Sequence, residues 1–207
     1  MPDTTITTVV FDLGGVLIDW DPRHLYRQLF SDPQEMEVFL RDVVSPDWNA
    51  QQDSGRTWAE ATAELLARHP DQEEMIRVYS ERWAEMLAGP IGGTVDILRE
   101  IRNRGFHVYA LTNWSAETFP RARPMFPFLE WFEGIVVSGD ERIKKPDPRI
   151  WHRLIERYAI DPTRSVYIDD MPHNATVAAE LGFHAIRFES PEQLRARLVD
   201  MGVLRAA

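Results

Sequence analysis

VVFDLGGVL at positions 9–17 sets three apolar residues, Val9, Val10 and Phe11, directly before Asp12, with Gly14 and Gly15 close behind. A short β-branched and aromatic run halted by a carboxylate and two glycines reads as a buried strand that delivers Asp12 into a tight turn. The same form recurs downstream. Residues 106–111 run into Thr112 and Asn113, residues 134–137 lead to the loop carrying Lys144, Lys145 and Pro146, and residues 165–168 end at Asp169-Asp170. Residues 183–188 make a fifth strand. None of the five alternates cleanly between apolar and polar, as befits parallel strands covered on both faces.

Helical stripes separate these strands. Val95, Leu98 and Ile101 form one, stopped by Gly105; Ile150, Trp151, Leu154, Ile155 and Tyr158 form another, begun by Asp147-Pro148; Val177, Ala178 and Leu181 form a third, stopped by Gly182. Strands alternating with helices predict right-handed crossovers and an α/β fold with a doubly wound parallel sheet. Residues 22–89 break the rhythm, showing only helical periodicity: Leu25, Leu29 and Phe30, then Met36, Phe39 and Leu40, then Trp58, Ala61 and Leu65, then Met75, Val78, Tyr79 and Trp83. The chain therefore divides into an α/β core of residues 1–21 and 90–207 and a small all-helical cap of residues 22–89, inserted after the first strand and closed at Gly89-Pro90. The last dozen residues are expected to form a helix and a frayed tail.

Composition narrows the function. In 207 residues, 33 Asp and Glu oppose 23 Lys and Arg, for a formal net charge of −10. Such a chain repels a phosphate backbone, and no basic patch offsets this, so nucleic acid is not an expected partner. There is no cysteine, which excludes disulfides and thiolate metal sites. MPDTTITTVV lacks the basic and apolar regions of a signal peptide, and no apolar run approaches the roughly 20 residues of a membrane span. The expectation is a cytoplasmic protein without membrane contact, a monomer or weak homodimer.

Ligands of open α/β sheets bind beyond the carboxyl ends of the strands. Four strand ends here bring a carboxylate, a hydroxyl with an amide, an ammonium and a carboxylate pair to one edge. Singly, each has a bland reading as a turn, a helix cap or a solvated loop residue; jointly, they suit phosphoryl transfer. Asp12 is a competent nucleophile. Lys145 supplies fixed positive charge, and Thr112, Asn113 and the backbone at Gly15 supply donors for phosphoryl oxygens. Asp12 and Asp169 are hard oxygen ligands suited to Mg²⁺, which would relieve the repulsion between an anionic nucleophile and an anionic substrate.

VVFDLGGVL at 9–17, LTN at 111–113, KKPDPRIW at 144–151 and VYIDDMPHNATVAAELG at 166–182 resemble, in order, the four motifs of the haloacid dehalogenase-like (HAD) hydrolase superfamily. The resemblance implies a magnesium-dependent phosphatase acting on a small phosphorylated metabolite through an aspartyl-phosphate on Asp12. It implies that the Gly14 carbonyl and Asp169 join Asp12 around the metal, that Thr112 and Lys145 hold the phosphate, and that Asp170 and Asn174 lie just behind. The helical insert resembles the cap that selects substrate in this branch.

One position departs from the pattern. Many family phosphatases carry a second Asp, as general acid and base, where this chain has Gly14, a feature shared with sugar-phosphate phosphatases of the branch. Asp21, then Asp19, are the candidates to move the proton, against a plain role as turn and cap residues; a good leaving group such as an anomeric phosphate is the alternative. In the cap, Trp58 and Trp83 read as core. Trp48, beside Asn49, Gln52, Asp53 and Arg56 in a polar stretch, reads as an aromatic face for a sugar, with Asn49 beside it. Arg23 is a candidate phosphate contact. Three other readings stand beside the phosphatase: a metal-free 2-haloacid dehalogenase, a phospho-acceptor signalling domain and a catalytically idle binding protein of the same fold.

Overall fold

The computed structural model describes residues 5–206; residues 1–4, on which the reading of the amino terminus partly rests, and residue 207 lie outside it. The described residues form seven strands: β1 (Thr8–Phe11), β2 (Ile18–Trp20), β3 (Leu87–Pro90), β4 (His107–Thr112), β5 (Gly134–Val137), β6 (Ser165–Asp169) and β7 (His184–Arg187). Five of them build one parallel sheet in the order β5-β4-β1-β6-β7. All five strands expected from the sequence are present, with ends shifted by at most a residue or two.

β1 lies at the centre, with Val9 level with Val108 on β4 and with Val166 on β6. Because side chains alternate across a strand, Val9 and Phe11 enter one apolar cluster and Val10 the other. On the Val9 side lie α6 (Gly92–Asn103) and the carboxyl-terminal helix α11 (Pro191–Asp200), through Ile97, Leu98, Leu194 and Leu198. On the Val10 side lie α9 (Pro148–Tyr158) and α10 (Pro172–Glu180), through Ile150, Trp151, Leu154 and Ala178. Asp147 caps α9 by accepting from the Arg149 amide, with Pro148 in the first turn, as the sequence predicts. Two one-turn helices, α7 (Phe119–Ala122) and α8 (Ser138–Glu141), complete the core. Beyond α11 the tail is not frayed throughout, because Val203 and Leu204 are buried in the first cluster.

The insert is helical, with α1 (Arg23–Tyr26), α2 (Pro33–Asp42), α3 (Pro46–Gln52), α4 (Trp58–Arg68) and α5 (Glu73–Glu81). Asp32, Ser45 and Thr57 cap α2, α3 and α4, and Thr57 with Glu60 forms a reciprocal capping box. Two strands went unread in the sequence. β2 and β3 pair antiparallel, Ile18 opposite Pro90 and Asp19 opposite Gly89, so the chain enters and leaves the cap along one two-stranded ribbon. The cap core of Tyr26, Phe39, Tyr79 and Trp48 is continuous with the apolar cluster on the Val9 side of the sheet.

Candidate active site

The strand order β4-β1-β6 makes neighbours of the residues that follow these strands. Asp12 follows β1, Thr112 ends β4, and Asp169 ends β6 with Asp170 behind it. Lys145 arrives from the loop after α8. Its Nζ lies 2.8 Å from Asp12 Oδ2 and 2.7 Å from Asp169 Oδ2, and it donates to the Leu111 carbonyl at 3.0 Å. All three ammonium protons are thereby directed, and the side chain is fully enclosed. Asp12 is further held by the Leu13 amide, which donates to Oδ1 at 2.7 Å.

Asp169 is the most constrained member. Its Oδ2 accepts from Lys145 and, at 2.8 Å, from the Tyr167 hydroxyl. Its Oδ1 accepts from the Asn174 amide and the Met171 backbone, both at 2.9 Å. Burial alone would raise this carboxyl, but Lys145, Asn174 and Tyr167 outweigh it and hold the group below the usual carboxylate range. Asp12 behaves oppositely. Burial pushes it up to about 8, with Lys145 pulling down and Asp169 pushing further up. Burial and then the Asp169 charge also raise Asp170. Lys145, which burial would lower, is raised by its two carboxylates.

Asp12, Asp169 and Asp170 each place a carboxylate oxygen within 4.8 Å of the others. Three carboxylates facing one ammonium leave an excess of negative charge in a largely dry setting, an arrangement that fits a hard divalent cation. Asp170 belongs to this cluster rather than lying behind it. The first turn is shaped to admit it: Gly15 has φ +72°, and a Cβ there would lie 2.7 Å from Asp170 Oδ2. Glycine alone suits both demands.

Thr112 is buried, and its hydroxyl has no partner among the described residues, leaving it available to a ligand oxygen. Asn113 is not free in this way. Its amide donates to the Lys145 carbonyl at 3.0 Å and its carbonyl accepts from the Lys145 amide at 2.8 Å, so this side chain positions Lys145 with its carbonyl and one of its two N–H groups.

Between core and cap lies a cavity of about 80 Å³. Gly14 and Asn113 form its floor; Trp20, Trp58, Trp83 and Trp114 give it four indoles; Asn49, Asp53, Ser115 and Thr118 complete the lining. Trp58 Nε1 donates to Ser115 at 3.1 Å and Trp114 Nε1 to Thr118 at 3.1 Å, so the polar edges of both rings are already satisfied. Trp58 and Trp83 are thus core residues and cavity wall together.

Trp48 is a correction. It is buried inside α3, edge-on to Trp58 and Tyr79, with Nε1 donating to the Ala61 carbonyl, and it offers no face to a sugar. The local polarity that suggested exposure is itself largely buried: Gln52, one turn on, is fully enclosed and accepts from Arg56, which also donates to the Trp48 carbonyl. Asn49 does line the cavity, with its carbonyl accepting from the Tyr79 hydroxyl at 3.0 Å. Arg23 is a second correction: it makes two bonds to Glu37, at 2.6 and 2.7 Å, and a third to Asp21, in a neighbouring cleft. Asp21 accepts from the Arg23 amide, as a cap residue would, and Asp19 pairs with His24; neither lines the cavity. Asp53, a member of the polar stretch not singled out in the sequence, does.

The sequence profile of haloacid dehalogenase-like hydrolases matches residues 6–182. The chain belongs to the haloacid dehalogenase-like hydrolase family. Among curated relatives, this hydrolase is 25% identical to the sesquiterpene phosphatase AstK of Aspergillus oryzae, over 86% of this chain and 88% of that one. It is 22% identical to the D-ribitol-5-phosphate phosphatase of Bacteroides thetaiotaomicron, over 93% and 97%. A HAD family enzyme from Bacteroides thetaiotaomicron, solved with magnesium and inorganic phosphate, superposes with a TM-score of 0.67 at 25% identity, covering 89% of this chain and 95% of that one. Among the described residues, no helix is long and apolar enough to cross a membrane.

Proposed function

We propose that this hydrolase is a magnesium-dependent phosphatase that cleaves a small phosphate monoester through an aspartyl-phosphate on Asp12. The observation that carries the reading is the Lys145 ammonium, held between Asp12 and Asp169 beside a third carboxylate. Displacement of a halide from carbon needs no such accumulation of cation ligands, whereas phosphoryl transfer does. The named relatives act on phosphate esters, which supports the same side.

Asp12, the Gly14 carbonyl and the acidic pair would hold the ion. Within the pair Asp170 is the better ligand, because both oxygens of Asp169 already accept two hydrogen bonds each. Mg²⁺ bound there supplies the positive charge that keeps Asp12 ionised and tolerates a phosphate beside it. Asp12 attacks phosphorus, the bond to the leaving oxygen breaks, and that oxygen takes a proton. Water then attacks the aspartyl-phosphate, releasing inorganic phosphate and regenerating the carboxylate. Lys145 stays fixed throughout and offsets charge on the phosphoryl oxygens, while the Thr112 hydroxyl donates to one of them. The four indoles favour an alcohol with a C–H face and few charges, as a sugar or polyol phosphate presents.

The test is phosphate release across a panel of metabolite monoesters, with Mg²⁺ or with chelator, for the wild type and Asp12→Asn. Release should require Mg²⁺ and fall by roughly 10⁴-fold or more in the variant. Equal release by both proteins would remove Asp12 from the chemistry, and halide release from a 2-haloacid in chelator would replace the reading altogether.

A further inference from the structure

Departure of an alkoxide from phosphorus is helped by a proton, and attack by water is helped by a base. On the phosphatase reading, the carboxylates of the sheet edge are committed. Asp12 is the nucleophile, Asp169 is held by Lys145, Tyr167, Asn174 and the Met171 amide, and Asp170 lies in the cation cluster. Gly14 has no side chain, and a Cβ built there meets nothing within 4 Å, so its side of the cavity is open. Among the residues that line the cavity, Asp53 alone has a side chain that titrates; the rest are indoles, amides, hydroxyls and glycine.

We infer that Asp53, brought by the cap, is the proton donor to the leaving alcohol and then the base for the attacking water. As the Asp12–phosphorus bond forms and the bond from phosphorus to the alcohol oxygen breaks, the proton on Asp53 passes to that oxygen. A water then attacks phosphorus, gives its proton to the Asp53 carboxylate, and the Asp12–phosphorus bond breaks. Asp53 returns to its acid form and Asp12 to its carboxylate, so one water is consumed and no other reactant is needed.

Two features of the cap support this. The carboxylate of Asp53 makes no hydrogen bond or ion pair among the described residues, so its proton is not already engaged, whereas its backbone is fixed. Arg56 anchors the turn, donating to the Trp48 carbonyl at 2.9 Å and to the Gln52 side chain at 2.7 Å, and pairing with Glu64. Gly55 packs this turn on the core: a Cβ there would lie 2.8 Å from Arg142 and 3.3 Å from the Gly139 carbonyl. Second, burial pushes the Asp53 carboxyl up to about 7 against the pull of Lys144 and Lys145, so it holds a proton near neutral pH. Lys144 and Lys145 on the core loop and the Tyr79 hydroxyl of α5 are the charged or titratable groups that face it.

The experiment compares 2,4-dinitrophenyl phosphate, whose leaving group needs no proton, with phenyl phosphate, whose leaving group does. Wild type, Asp53→Asn and Asp12→Asn are each followed by rapid mixing in saturating Mg²⁺. In Asp53→Asn, the first-turnover burst of dinitrophenolate should keep the wild-type rate while phenol release falls roughly 100-fold or more. The alkaline limb of the wild-type profile for phenyl phosphate should disappear. Asp53→Glu, which retains an acid, should recover part of the phenol rate. Equal slowing of both substrates by Asp53→Asn, or an unchanged phenol rate and pH limb, would overturn the assignment. Asp12→Asn is the separate control: a burst that survives in that variant removes Asp12 as the nucleophile and defeats the aspartyl-phosphate reading, whatever Asp53 does.

Discussion

At the sheet edge, Lys145 directs every proton it has at Asp12, Asp169 and the Leu111 carbonyl, in a space closed to water. In the cap, Tyr26, Phe39, Trp48, Trp58 and Tyr79 lean ring against ring at centroid distances of 5.1–5.8 Å, with the Arg56 guanidinium over the Trp48 ring as the charge that touches them. The first region is ordered by charge and fixed donor geometry, the second by shape and apolar burial. Buried charge tolerates no removal of one partner, because the other is left stranded. A ring cluster loses energy in proportion to the volume taken away and strands no buried charge, although a polar partner such as the Ala61 carbonyl loses its donor.

That contrast can be broken by substitution. Lys145→Met should have the largest effect, leaving Asp12 and Asp169 to repel each other in the dry. Stability in the absence of metal should fall by about 3–5 kcal/mol in chemical denaturation, and turnover by roughly 100- to 1,000-fold. Added Mg²⁺ should recover stability in the variant more than in the wild type. If Mg²⁺ stabilises both equally, the ammonium and the cation do not share the same carboxylates.

Trp48→Ala should come next. The ring is buried in the cap, so its loss should cost about 3–5 kcal/mol. The preference among substrates should stay as in the wild type, since the ring does not line the cavity. A changed preference with unchanged stability would restore Trp48 as a binding face.

A smaller effect lies in pH. Asp53 has an ordinary value of 3.8 and is raised to about 7 in the fold. Between those values the native state holds a proton that the unfolded chain has released, so stability should decline as pH rises from about 4 to about 7. Denaturation curves of Asp53→Asn should show a flatter slope across that window; an identical slope would place the carboxylate in ordinary solvent. The least effect is expected for Arg23→Ala, whose partners Glu37 and Asp21 sit in the neighbouring cleft. Its kcat/KM and Tm should match the wild type, and a raised KM would bring the guanidinium back to the substrate.

The same division governs what the sequence discloses. Strands of the sheet announce themselves locally, by β-branched runs ending at Asp12, Thr112 and Asp169, and parallel topology then sends those ends to one edge. β2 and β3 are only three and four residues long, and Gly89-Pro90 looks like a hinge by composition. Their strand character exists only in pairing across almost seventy residues of insert, which local pattern does not record. In the cap, periodicity identified the helices and their apolar sides but not which residues would look toward the sheet. Trp48 and Trp58 differ in exactly that respect, the former turned inward and the latter also walling the cavity. Asp53 lies in the same polar stretch as Trp48 and carries no motif; that it is the titratable side chain of a cavity which Gly14 also lines is a property of the assembled fold. Asp169 and Asp170 were legible as a pair, while the four hydrogen bonds that hold Asp169 belong to the assembled fold.

The ribbon formed by Ile18–Trp20 and Leu87–Pro90 has an architectural consequence. Since the two crossings between core and insert lie side by side, the ends of the insert meet at one place on the sheet, even though its apolar core runs on into that of the sheet. Evolution, or a protein engineer, can exchange that insert for another of different length without disturbing the order of the parallel strands. On the phosphatase reading, new alcohols would be recruited by such grafting, with the sheet edge that carries Asp12, Lys145 and Asp169 kept as inherited.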